Sequence, residues 1–114
     1  MSDDKTYNGW ANYETWNVAL WLDNEHLSYR YWREQSQECW DEAEAKAHWT
    51  REEEAAFTLA DRLKAELEES MPDLGSSVWA DLLGAALSEV NWREIAEHYI
   101  EDVEREAEEP AEAD

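Results

Sequence analysis

Basic residues are scarce in this chain: nine Lys and Arg, only three of them Lys, stand against 30 Asp and Glu among 114 residues. With no basic run to displace counterions, direct binding to DNA or RNA is excluded as a working hypothesis. An acidic surface is likewise repelled by anionic lipid, and no apolar run approaches membrane-spanning length, so no membrane partner is expected. Cys39 is the single cysteine. It rules out an intramolecular disulfide and a thiolate zinc cluster, and a reduced, half-buried thiol is expected. The three glycines stand singly at 9, 75 and 84, so there is no glycine-rich phosphate loop. The polar, acidic start from Met1 to Lys5 lacks a signal-peptide stretch, and the expected location is cytoplasmic.

What the chain has in abundance is carboxylate and tryptophan. The formal net charge is −21, and charge so one-sided costs the compact state self-repulsion. A disordered acidic chain is the first alternative. Eight Trp, five Tyr and one Phe argue against it. Burying even half of these rings contributes on the order of 10 kcal/mol before entropy is subtracted. A single folded domain over residues 1–106 with an acidic tail at 107–114 is the reading.

With three Gly, two Pro and no strand-like alternation, the fold class is all-α, a compact bundle of four to five helices. Tyr7 and Trp10 precede a first helix that Asn12 caps, near Tyr13 to Asp23. Apolar on most sides, that helix is expected to be the central, most buried one. A second helix is expected from Glu25 or His26 to Ala47. Thr50 with Glu53 forms a capping box that opens a third, with its stripe at Ala56, Leu59, Ala60, Leu63 and Leu67. Ser76 or Ser77 caps a fourth through Val78, Trp79, Leu82, Leu83, Ala86 and Leu87. Asn91 with Glu94 reads as a second capping box, opening a fifth helix that buries Trp92, Ile95, Ala96, Tyr99 and Val103.

Glu94, Glu97, Glu101, Glu104 and Glu108 recur at steps of three and four, which places them along one face of the fifth helix. At a rise of about 1.5 Å per residue, the row sets a carboxylate about every 5 Å over roughly 20 Å. Phosphates on one DNA strand advance by about 3.4 Å, so this row plus a flanking one approaches the charge density of a nucleic-acid backbone. Glu34, Glu38, Asp41 and Glu42 on the second helix are expected to supply the flanking row, with Asp61, Glu68 and Glu69 as a third. The bland alternative is that exposed Glu on a helix is a good helix former and is simply solvated.

Two pairs at i,i+4, Glu44 with His48 and Glu94 with His98, carry carboxylate plus imidazole, but not the Glu-x-x-His spacing of paired-helix metal sites. No metal or cofactor is therefore implied. Acidic neighbours of Cys39 would raise its thiol pKa, so no nucleophile is apparent and an enzyme is not expected. Trp10 and Trp16, threaded among polar residues, read either as packing for the N-terminal arm or as a protein-binding hot spot.

Residues 8–24, NGWANYETWNVALWLDN, resemble the hallmark block of a family of small proteins carried by phages, plasmids and other mobile elements, and residues 91–97, NWREIAE, resemble its second recurrent block. The family has no settled activity, so the resemblance implies a context of accessory genes and transfers no catalytic residue. Together these readings favour a non-enzymatic nucleic-acid mimic that occupies a basic nucleic-acid-binding protein, a host defence nuclease of the restriction or CRISPR kind. The alternatives are a salt-adapted accessory protein working through Trp10 and Trp16, and a chaperone of basic proteins acting through Glu106 to Asp114.

Overall fold

The computed structural model describes residues 6–108, and they form five helices: α1 (Tyr13–Asn24), α2 (His26–Glu42), α3 (Arg51–Glu69), α4 (Val78–Ser88) and α5 (Trp92–Glu108). Among the described residues there is no strand, only two isolated bridges that close tight turns. The all-α fold expected from composition is the fold observed. No helix among the described residues is long and apolar enough to cross a membrane.

Three helices make the core. α3 contributes Ala55, Ala56, Leu59 and Leu63, and α5 contributes Trp92, Ile95, Ala96, Tyr99, Ile100 and Val103. α2 adds Trp32, Ser36, Cys39 and Trp40. The period of three and four read from the sequence brings each set onto one face, and removing these faces from water is the main drive for the three helices to pack. Cross-links fix the directions. Tyr31 on α2 donates to Glu66 on α3, and Arg51 at the start of α3 donates to the carbonyl of Trp40 near the end of α2. α2 and α3 are therefore antiparallel. Glu52 meets Glu104 late on α5, and Phe57, farther along α3, meets Arg93 at the start of α5, so α3 and α5 are antiparallel as well.

α1 is not the central helix. It buries Thr15, Ala19 and Leu22, whereas Trp21 is 68% exposed. The reason is positional: α1 lies at the edge, against α2 and α5, so an apolar residue on its outer side has nothing to pack against. α4, apolar as it is, is less buried still. None of its residues is fully buried, and Val78, Trp79 and Leu82 face solvent. Leu87 on its inner side packs partly on the core, and Val90 just past it is buried.

α2 ends at Glu42, not Ala47. Arg51 stacks over the Trp40 ring at 4.1 Å while its Nε and Nη2 donate to the Trp40 carbonyl at 3.0 and 2.8 Å. That carbonyl belongs to the last turn of α2, so Arg51 caps the helix and draws the chain back. The Lys46 to Trp49 turn then closes the connection, with Lys46 N–H donating to the Trp49 carbonyl at 2.8 Å. Glu44 and His48 thus do not share a helix.

The caps at Asn12, Thr50 and Ser77 are present, including the reciprocal Thr50 and Glu53 box. Asn91 caps α5 through the Glu94 amide at 3.0 Å. The expected second box is incomplete, because the Glu94 carboxylate turns to Ala11 instead. Cys39 is 2% exposed, so it is buried and not half-buried. Helix α5 runs two residues beyond the expected boundary at 106, and residues 109–114 of the expected tail lie outside the described residues, as do Met1 to Lys5.

Candidate functional site

The N-terminal block folds around itself and then onto α5. Asn8 and Gly9 both have positive φ, 48° and 88°, and they form the two central residues of a turn closed by paired bonds between Tyr7 and Trp10 at 2.9 and 2.8 Å. An Asn-Gly pair is suited to this left-handed geometry because neither residue is strongly penalised there. Trp10 then stacks on His98, ring centroids 4.2 Å apart, and Trp16 packs against Tyr7 and Tyr13.

The polar residues of the block form a clasp. Asn12 Oδ1 accepts from the Thr15 amide and hydroxyl at 2.9 and 2.6 Å, while its Nδ2 donates to the Glu89 carbonyl at 2.7 Å. The Asn91 amide donates to Thr15 Oγ1 at 2.8 Å, and the Ala11 amide donates to Glu94 Oε1 at 2.9 Å. Segments 8–24 and 91–97 are therefore in contact, and their polar residues satisfy backbone groups at the N-termini of α1 and α5. Glu94 and His98 are each engaged here. Among the described residues no cluster of three His, Cys, Asp or Glu is arranged to hold a metal ion.

The acids divide among the seams of the bundle. Glu38 and Glu42 lie on the seam between α2 and α3, where Arg62 reaches them at 2.6 and 3.7 Å. Asp41 accepts from Gln37 at 2.9 Å, and Glu34 is exposed. None of these four α2 acids lines the cleft that the α5 row shares with α3. Of the third group, Glu68 pairs with Lys64 at 3.7 Å, and Asp61 and Glu69 face solvent.

The flanking row comes from α3. Glu97, Glu101 and Glu104 line a cleft of about 190 Å³ together with Glu52 and Glu53 from the first turn of α3. Arg93 also lines it, held at 3.1 Å from Glu97 and stacked over the Phe57 ring at 4.1 Å. Glu108 continues the row and is exposed, whereas Glu94 leaves it for the clasp. Glu52 and Glu53 escaped the sequence reading because they register there as a helix start, where acids complement the helix dipole. The run of three Glu at 52–54 was the available signal. Only the antiparallel contact of α3 with α5 makes it part of a site.

Glu52 and Glu104 are hydrogen-bonded carboxyl to carboxyl. The bond from Glu52 pushes Glu104 up to about 7, with partial desolvation and the charges of Glu52, Glu108 and Glu101 adding to the effect. Glu52 is held below its usual range by the same bond. Two like charges at this distance do not ionise independently, so the pair retains a proton near neutrality. The arrangement is a dense anionic strip, with spacing set by two packed helices and charge tunable at one position.

Residues 3–109 match the model of a family described as "Family of unknown function (DUF7249)". No curated protein and no solved structure matches the chain.

Proposed function

The chain belongs to the family of unknown function DUF7249, and from that premise we propose that it is a non-enzymatic acidic protein whose α3–α5 strip binds and inhibits a basic, nucleic-acid-handling protein. A host defence nuclease of the restriction or CRISPR kind is the partner class that suits this chemistry and the mobile-element context implied by the N-terminal block. The observation that carries the reading is the contact of Glu52 with Glu104 beside Glu53, Glu97 and Glu101. Arg93 is the one base among the residues lining this cleft, so a single guanidinium stands against five carboxylates, although opposed like charges on neighbouring elements destabilise. Holding five carboxylates at fixed spacing suits a surface that presents anionic charge to a cationic groove.

The same geometry weighs against the aromatic block as the working surface. Trp10 is packed on His98 and Trp16 on Tyr7 and Tyr13, so both rings are occupied in holding the N-terminal arm. A protein captured from host lysate at low salt on the wild-type chain is the material for the test. Mimicry requires that duplex DNA displace it, that binding fall steeply with salt, and that the triple change Glu97→Lys, Glu101→Lys, Glu104→Lys abolish capture with helical content unchanged. A captured protein that holds DNA and this chain simultaneously would overturn the reading.

A further inference from the structure

α4 is an eleven-residue helix, VWADLLGAALS, with the most apolar composition of the five. Its outer side carries Val78, Trp79 and Leu82, which are 62%, 65% and 56% exposed. Singly exposed apolar residues are ordinary on a protein surface, but three large ones on adjoining turns of one helix form a ridge. Grooves run along both sides of the C-terminal half of the helix. One, of about 520 Å³, runs between α4 and the α3–α5 pair past Met71, Leu87 and Trp92, and the other, of about 230 Å³, lies against α1. A Cβ added at Gly84 would meet nothing within 4 Å. The helix therefore stands partly clear of the bundle with room for inserted side chains.

Charge and area together specify what fits. Asp81 lies on α4 itself, Glu89 caps its C-terminus and Asp73 precedes it, Glu68 lines the larger groove, and residues 65–92 hold no base. The base lining the larger groove, Lys64, is paired with Glu68 at 3.7 Å. Glu14 lines the smaller groove. Three side chains of this kind present on the order of 300–400 Å², short of the roughly 800 Å² per partner of a stable interface. Apolar contact at α4 thus needs reinforcement from the acidic rim. A second copy does the opposite, since a two-fold contact through α4 sets this rim against itself between chains of net charge −21.

We propose that the outer face of α4 is a docking site for a protein element with an apolar ridge flanked by Lys or Arg, separate from the α3–α5 strip. The ridge packs on Val78, Trp79 and Leu82, and the basic flanks meet Asp81 and its acidic neighbours. The probe is a synthetic amphipathic helix with a leucine ridge and lysine flanks, titrated into the full chain and followed by backbone amide shifts. The expected result is binding that perturbs residues 78–88 and persists in the Glu97→Lys, Glu101→Lys, Glu104→Lys variant. Trp79→Ala and Leu82→Asp should each weaken it about tenfold or more, with circular dichroism confirming an unchanged fold. The same helix with glutamate flanks should not bind. Equal binding of the two helices, unchanged affinity in both α4 variants, or shifts confined to 97–104 would each overturn the proposal. So would a sedimenting dimer that Leu82→Asp dissolves, since α4 would then be covered by a second copy.

Discussion

The Ala11 amide donates to the Glu94 carboxylate at 2.9 Å across 83 positions of sequence, and this bond joins segments 8–24 and 91–97 of the chain. It also separates Glu94 from the acids that follow it on α5. A charge-assisted bond to a backbone amide contributes about 1.5–3 kcal/mol, and partial exposure places this one at the lower end. Glu94→Ala should lower the urea unfolding free energy by about 1–2 kcal/mol. Glu97→Ala should change it by no more than about 0.5 kcal/mol, because Glu97 is exposed and its ion pair is with Arg93 one turn away on the same helix.

Thr15 is fully buried and its hydroxyl both donates to Asn12 and accepts from the Asn91 amide. Thr15→Val keeps the shape and removes both bonds, leaving the Asn91 amide without that acceptor. Loss of about 2–3 kcal/mol is expected, measured by chemical denaturation. Amide exchange at Asn91 should rise more than at Leu63, which lies in the α3 core.

The Glu52 and Glu104 pair makes stability depend on pH in a definite direction. Glu104 is raised from its ordinary 4.5 to about 7 in the folded protein. The folded state therefore binds this proton more tightly than the unfolded chain does, and the stability it confers is full below about pH 4.5 and is lost as pH rises through about 7. Glu52 is shifted downward, so its opposite contribution is lost as the pH falls below the ordinary carboxylate range. Between pH 5 and 8 the Glu104 effect governs this pair. Urea midpoints should decline over that window in the wild type, and Glu104→Gln should flatten the decline and be the more stable protein at pH 8. A carbon-detected titration of the Glu side chains should show one carboxyl titrating near neutrality.

Burial pushes the Cys39 thiol upward, and the nearby Glu38 and Glu42 add to the shift against the opposing charge of Arg62. Reaction with a thiol-specific disulfide reagent at pH 8 should be slow in the native protein and fast in urea. A native rate close to the unfolded one would show that the α2 packing opens readily.

Much of the fold could be read from residue order. Ala56, Leu59 and Leu63 on α3 and Trp92, Ile95, Ala96, Tyr99 and Val103 on α5 were legible because burial on one side of a helix leaves a period that neighbours in sequence display. Caps at Asn12, Thr50 and Ser77 were legible for the same reason, since each concerns atoms three residues apart. The misreadings share the opposite property. α1 reads as the most buried helix by composition, yet Trp21 is exposed because nothing in the described structure packs over it, and the apolar composition of α4 likewise does not show that Trp79 is exposed. The end of α2 is decided by Arg51, eleven residues beyond Trp40, which it caps.

The candidate site divides along the same line. The Glu row of α5 was legible as a helical face, but Glu94 belongs to the clasp and Glu38 and Glu42 of α2 belong with Arg62. Residue order alone determined that the chain is all-α, strongly acidic and aromatic-cored, because charge, composition and helical period are local or additive quantities. Tertiary structure alone decided which acids share a seam. Bringing Glu52 against Glu104 depends on the antiparallel packing of α3 on α5, and no spacing within either helix encodes it.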